Sequence, residues 1–170
     1  MSTSTELPPN PPPTAYAQAV HAFGRMVSLR LLAWSVLSLA AGALLWRRGS
    51  PFWRGFGAQA LGWGAIDALI ALSGLRPGQQ PSAEPARAAR NLRRLLWFNA
   101  ALDVGYMAGG LRLARGKGRS DASWRGQGWG IAVQGAFLFV FDVVHGLRVP
   151  APVEPAEAGP EGTNRNGKHD

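Results

Sequence analysis

The 170-residue chain has no cysteine, which excludes disulfides, thiol chemistry and cysteine-bound metals. It also lacks a serine nucleophile elbow, a phosphate-binding glycine loop and a His-Glu-x-x-His motif. A haem-binding bundle needs facing histidines in its core, but His21 and His169 lie outside the apolar segments and His145 lies at the end of one. These absences favour a non-enzymatic protein that uses no metal and no cofactor.

Acidic residues are scarce as well, with 10 Asp and Glu against 18 Lys and Arg and a formal net charge of +8. In a soluble protein this balance would suggest nucleic acid as a partner. Here the basic residues flank apolar segments, which favours the lipid bilayer and its anionic headgroups and argues against nucleic acid. The clearest basic group has helical spacing and consists of Arg87, Arg90, Arg93 and Arg94.

Long apolar segments are what the chain has in abundance. A helix of about 20 apolar residues crosses the roughly 30 Å of hydrocarbon in a bilayer. Four segments approach that length, at 26–46, 55–75, 95–111 and 126–147. None of them has the charged face that a soluble four-helix bundle requires. The sequence therefore predicts an all-α polytopic membrane protein that forms a four-helix transmembrane bundle.

The two ends of the chain differ from this apolar centre. Residues 1–13 are rich in proline and are predicted to be a disordered N-terminal arm, and residues 150–170 are predicted to be a disordered C-terminal tail. One transmembrane domain remains, at 14–149. With four spans both termini lie on one side, and we expect the cytoplasmic side of a cell inner membrane. Basic residues are shared almost evenly between the two faces, so a dual topology stays open.

Three aspartates, Asp67, Asp103 and Asp142, interrupt the second, third and fourth segments. A charged side chain at mid-membrane costs about 2.5–3.5 kcal/mol on insertion scales, so each is expected to face the interior of the bundle. Threading the helices up and down at 1.5 Å per residue places the ionisable residues in one half of the bilayer. The candidate buried polar cluster comprises Arg30, Asp67, Asn99, Asp103, Asp142 and His145, and a secondary polar layer comprises Gln59, Tyr106 and Gln134.

Matched depth on antiparallel helices predicts particular pairs within this cluster. Arg30 and Asp142 are expected to form an ion pair. Asp67 and Asp103 are expected to share a proton, because two adjacent carboxylates cannot both ionise in a low dielectric. The alternative is that all these residues only form interhelical hydrogen bonds that hold the bundle together.

A weak internal repeat is also visible. Gln59 precedes Asp67 by the same interval at which Gln134 precedes Asp142, and the two helices run in the same direction across the membrane. This pattern is typical of a duplicated two-helix hairpin. Coincidence is the alternative, since the two Gly-Trp-Gly triplets, at 62–64 and 128–130, are out of register with it.

Small residues recur along two of the helices. Ser28, Ser35 and Gly42 are seven residues apart, and Gly105 and Gly109 form a G-x-x-x-G pattern. Such positions allow helix backbones to approach closely. The predicted role is packing within the chain, and a homodimer interface is the open alternative.

Three segments resemble an uncharacterised family of small bacterial four-helix integral membrane proteins. They are GWGAIDALIALSGL (62–75), FNAALDVGYMAGG (98–110) and WGIAVQGAFLFVFDVVHGL (129–147), and the resemblance extends over about 50–150. It implies the same topology and a bacterial inner membrane. It implies no activity.

The expected function is therefore broad: a non-enzymatic accessory, assembly or small-solute membrane protein built around a buried Asp, Asn and His cluster. One alternative is a proton- or cation-coupled transporter or channel that uses the aspartates as relay or binding groups. Another is an intramembrane enzyme centred on Asp142 and His145.

Overall fold

The computed structural model describes residues 14–152, which form four α-helices and one short 3₁₀ turn. The helices are α1 (Ala15–Arg47), α2 (Pro51–Gly74), α3 (Pro85–Arg115) and α4 (Ala122–Leu147). No strand occurs between residues 14 and 152. The predicted all-α, four-helix architecture is therefore confirmed. The predicted arm at 1–13 and most of the predicted tail at 150–170 lie outside the described residues.

The helix ends follow from local sequence. The Thr14 hydroxyl accepts a hydrogen bond from the backbone N–H of Ala17 at 3.2 Å, and Asp121 caps α4 in the same way. Helices α2 and α3 instead begin with Pro51 and Pro85, whose missing N–H is no loss in a first turn. All four helices begin before the predicted spans, because a span is defined by its apolar residues whereas a helix starts at its cap. Helix α2 ends at Gly74, one residue before the predicted end, and α4 ends at Leu147 as predicted.

Three of the four helices, α1, α2 and α4, are long and apolar enough to cross a membrane. Helix α3 does not reach the same threshold, since its 31 residues include the basic group at 87–94 and two further arginines in its last turn. Its apolar part is short. A membrane location is thus supported by three helices, and the third predicted span, at 95–111, stays a prediction.

The helices pack as two antiparallel hairpins, α1 with α2 and α3 with α4, and the hairpins meet mainly through α2 and α4. Glycines set the closest approaches. A Cβ on Gly57 would lie 2.7 Å from the Gly42 carbonyl oxygen, and a Cβ on Gly128 would lie 2.6 Å from that of Gly110. The predicted packing role within the chain is therefore confirmed for Gly42, but it is wrong for Gly105 and Gly109, where a Cβ would meet no described atom within 4 Å.

Helices α2 and α4 approach each other most closely at one glycine on each helix, and the two contacts are reciprocal. Gly55 faces the Ser123 carbonyl of α4, and Gly126 faces the Phe52 carbonyl of α2. Each of these two glycines follows a Trp-Arg pair, in Trp53–Gly55 and Trp124–Gly126. The two hairpins are thus related by an approximate two-fold axis parallel to the helices.

The glycine contacts show that the predicted alignment of the repeat, Asp67 with Asp142, is wrong. Gly64 packs on the backbone of Ser35, and its equivalent Gly135 packs on the backbone of Asp103. In this alignment Asp67 corresponds to Leu138, one helical turn away from the predicted partner Asp142. The prediction matched polar residues, whereas the repeated backbone contacts are set by glycines. The expected parallel direction of α2 and α4 is confirmed.

Candidate functional site

Three aspartates from three different helices converge inside the bundle. Asp67 of α2 and Asp103 of α3 are each 3% exposed, and Asp142 of α4 is 7% exposed. Their carboxyl groups are close enough to interact electrostatically with one another. Helices α2 and α4 run parallel and α3 antiparallel to them, so that Asp67 and Asp103 come to the same level and Asp142 lies about one turn from it.

Two of these carboxyl groups lack partners for one oxygen each. The Oδ2 atoms of Asp67 and Asp103 are buried and accept no hydrogen bond from any residue between 14 and 152. No hydrogen bond joins the two carboxyls, as the predicted shared proton would require. The side-chain amide of Gln134 faces Asp67 and also donates to the Ser38 hydroxyl at 3.3 Å. A buried polar atom without a partner typically costs about 1–3 kcal/mol, so the cluster is not optimised for stability.

Arg30 pairs with a different residue from the one predicted. Its Nη1 donates to Nε2 of His145 at 3.1 Å, and Nδ1 of the same ring lies 2.6 Å from the Phe141 carbonyl oxygen. Because Nδ1 donates to the carbonyl and Nε2 accepts from Arg30, the imidazole is neutral. Among residues 14–152, Arg87 with Glu84 is the only ion pair within 4 Å. The predicted Arg30 and Asp142 ion pair is therefore wrong: the ring of His145 occupies the arginine.

Asp142 and Asn99 line an opening between the helices. This cavity has a volume of about 390 Å³ and is bounded by parts of all four helices and by the connection between α2 and α3. Neither side chain makes a hydrogen bond within residues 14–152. The cavity therefore presents an unpartnered carboxyl and an unpartnered amide in a mostly apolar wall.

The predicted secondary layer does not form one group. Gln134 belongs with the aspartates, as described above. Gln59 donates from its amide to the Gln127 side-chain oxygen at 3.3 Å, nearer the opposite end of the bundle. Tyr106 is partly exposed and packs edge-on against Trp63, with ring centroids 4.8 Å apart. Sequence reasoning missed Gln127 and Ser38 as partners, since neither interrupts an apolar run conspicuously.

The basic group before the apolar part of α3 lies on the surface. Arg87 pairs with Glu84 at 3.3 Å, and Arg93 donates to the Val149 carbonyl at 3.0 Å. Arg90 and Arg94 are exposed. Within the described part of the chain, no group of three His, Cys, Asp or Glu residues is arranged to hold a metal ion.

A family model described as a family of unknown function (DUF6992) matches residues 30–143. The match covers more than half of the chain. The chain belongs to the DUF6992 family. No curated protein and no solved structure matches it.

The DUF6992 match begins at Arg30 and includes Asp67, Asn99, Asp103 and Asp142, but ends before His145. The predicted membership of an uncharacterised family is confirmed. Because the family has no assigned function, membership transfers no activity, and any function has to be inferred from the geometry of the site.

Proposed function

We propose that this DUF6992 protein is a four-span integral membrane protein that binds a small solute at its buried acidic cluster and catalyses no reaction. The observation that carries this proposal is that one buried oxygen each of Asp67 and Asp103, and the carboxyl of Asp142, have no hydrogen-bond partner within residues 14–152. Buried polar atoms in folded proteins are nearly always hydrogen-bonded, and each exception needs an explanation. A bound solute with hydrogen-bond donors would supply the missing partners.

A membrane position for α3 is part of this proposal. Its residues between Arg94 and Arg112 are free of charge apart from the buried Asp103. The outward face of this stretch is apolar, and Phe98 is 61% exposed. In water such a continuous apolar face is costly, whereas in lipid it is not. This supports α3 as the fourth span, tilted or slightly short for the bilayer.

The orientation we propose places both termini in the cytoplasm of a cell with an inner membrane, with Arg90 and Arg94 at anionic headgroups. Reporter fusions after Arg48, Gln80 and Arg119 test it. The fusions at Arg48 and Arg119 should report one side and the fusion at Gln80 the other. If Gln80 and Arg119 report the same side, α3 does not cross the membrane.

Native mass spectrometry of the full chain released from lipid nanodiscs tests solute binding. We expect wild-type protein to carry a small-molecule adduct, and we expect Asp142→Asn to lose it because the amide keeps the size of the carboxyl but removes its charge. Asp121→Asn is the matched control, since Asp121 only caps α4 at the surface. A wild-type protein without adduct would contradict the proposal.

Cation or proton transport is the second candidate, and one observation favours it. Asp142 lines the cavity, while Asp67 and Asp103 lie deeper and interact electrostatically with it. Carboxyl groups at successive depths are what a relay requires. Uptake into proteoliposomes should then be lost in Asp67→Asn and Asp103→Asn, whereas simple solute binding needs no transport. An enzyme centred on His145 is not supported, because Arg30 and Phe141 occupy both ring nitrogens.

A further inference from the structure

The cavity beside Asp142 has a polar end and an apolar body. It is formed by the N-terminal halves of α1 and α3, the end of α2 and one face of α4. Its apolar wall includes Val27, Leu31, Ile70, Leu92, Leu95 and Phe141. At about 390 Å³ it falls within the range of sites that take small organic molecules. The shape therefore fits a molecule with a compact polar head and a hydrocarbon part.

The polar end of the cavity is acidic. Asp142 is more than nine-tenths buried, lines the cavity and has no hydrogen-bonding or ion-pairing partner within residues 14–152. Asn99 lines the same end and can both donate and accept hydrogen bonds. The neighbouring Asp67 and Asp103 add to the negative potential that Asp142 experiences. A bound anion would be repelled here.

The same features argue against a bare metal ion. Calcium binds six to eight oxygen ligands and magnesium six, whereas this end of the cavity offers one carboxyl and one amide. The described residues also contain no group of three acidic or histidine side chains suited to a metal. An organic ammonium needs fewer fixed ligands, because its N–H groups can pair with a single carboxylate and one amide oxygen.

We propose that the cavity binds a protonated amine with an apolar body, whose ammonium pairs with Asp142 and hydrogen-bonds to Asn99. This inference rests on the proposed function and names the class of solute. The hydrocarbon part would lie along the apolar wall toward the connection between α2 and α3, where Gln79, Gln80 and Ser82 form the polar mouth. Arg25 also lies at this mouth, but it is exposed, so solvent and salt screen its charge.

Two glycines provide matched variants that test the cavity itself. Gly24 lines the cavity, and a Cβ at this position would meet no atom within 4 Å. A leucine there fits without disturbing the helix and fills part of the cavity. Gly62 is equally unobstructed but lies outside the cavity. Gly24→Leu and Gly62→Leu therefore differ mainly in whether the added side chain occupies the site.

The experiment uses the full chain in nanodiscs and three probes with the same hydrocarbon part: octylamine, octanol and octanoate. Octylamine should raise the thermal unfolding midpoint of the wild type and of Gly62→Leu, with an affinity at least about tenfold higher than that of octanol. Octanoate should have no effect. Asp142→Asn and Gly24→Leu should each lose the octylamine response, the first through charge and the second through volume.

Equal octylamine responses in the wild type, Asp142→Asn and Gly24→Leu would overturn the inference, because they would reflect partition into the lipid. A response to octanoate would overturn it as well. If no probe binds but wild-type protein still carries an adduct that Asp142→Asn loses, the amine assignment is wrong and the proposed function survives. If the adduct is absent too, both fail. Should Asp142→Asn not fold, Gly24→Leu decides between specific binding and partition.

Discussion

The two hairpins of this protein have the same backbone contacts but different polar residues. In α1 and α2, Gly42 packs on Gly57, and in α3 and α4, Gly110 packs on Gly128; a Cβ on Gly57 or on Gly128 would lie 2.7 or 2.6 Å from the facing glycine's carbonyl oxygen. At one level deeper, Ser35 of α1 stands where α3 has Asp103. The backbone packing is therefore repeated in the two hairpins, but the polar side chains are not.

The other two aspartates follow the same rule. Asp67 of α2 corresponds to Leu138 of α4, and Asp142 of α4 corresponds to Ala71 of α2. All four positions are buried. A serine, a leucine and an alanine thus satisfy the same packing sites in the opposite hairpin. The difference teaches that the fold does not need the aspartates for packing, which supports the proposal that they bind a solute.

The space between α1 and α4 is filled by side chains, whereas the equivalent space between α2 and α3 is partly empty. Between α1 and α4, the His145 ring packs against Phe141 with centroids 4.1 Å apart, and Trp34 stacks on Phe137 at 3.4 Å. Aromatic rings fill that side. On the side between α2 and α3, the residue at the place of His145 is Gly74, and the cavity opens there. One small residue in place of a ring is enough to leave part of this volume empty.

The largest expected change in stability comes from disrupting the glycine contacts that the two hairpins share. Gly57→Ala and Gly128→Ala each place a methyl group against backbone atoms of the neighbouring helix, so each should destabilise the protein by about 2–3 kcal/mol. Gly62→Ala should instead stabilise it by up to about 1 kcal/mol through helix propensity, since its Cβ is unobstructed. Thermal unfolding in one detergent measures all three. Unequal losses at Gly57 and Gly128 would show that the two hairpins are not equivalent.

A second, smaller effect tests whether the aspartates are structural. Asp67→Leu introduces the residue that the opposite hairpin carries at the same site and removes a buried oxygen without a partner. We expect the variant to be as stable as wild type or up to about 2 kcal/mol more stable. Asp103→Ser should also fold. A loss of folded protein in both variants would mean that the cluster holds the bundle together.

The smallest effect concerns the contact that replaces the predicted ion pair. A double-mutant cycle with Arg30→Ala and His145→Ala should give a coupling free energy of about 1–1.5 kcal/mol, the usual value of one hydrogen bond to a charged donor on a partly exposed side chain. The cycle of Arg30→Ala with Asp142→Ala should give a coupling near zero. A larger coupling of Arg30 to Asp142 than to His145 would show that the predicted Arg30 and Asp142 ion pair forms after all.

Sequence reasoning went furthest where the signal is one-dimensional. Apolar length predicts the four helices, and the depth count places Asp67 and Asp103 at one level in the bundle. It failed where the answer depended on helix rotation. Arg30 and Asp142 have similar depths, but depth does not say which side of a helix faces which neighbour, and the side chain that Arg30 reaches is His145.

The register of the repeat failed for a related reason. Matching Gln59 and Asp67 with Gln134 and Asp142 assumed that duplicated helices keep their polar residues. The glycines at 55 and 126 mark the repeat, because a close backbone contact tolerates no side chain, whereas the buried positions beside it hold Asp, Leu, Ser or Ala. The glycine spacing can be seen in the sequence, but which of these glycines contact a neighbouring helix cannot.

The sequence by itself determined the class of this protein: apolar segments without charged faces require an apolar surrounding, and a buried acid in each of three segments requires a protected interior. Only the tertiary structure decided that the two hairpins are equivalent, that Arg30 contacts His145, and that Asp142 stands unpartnered at the end of a cavity. Hydrophobic length acts along the chain and can be counted from it. Pairing depends on the rotation and crossing of helices, which are set by contacts between residues far apart in sequence.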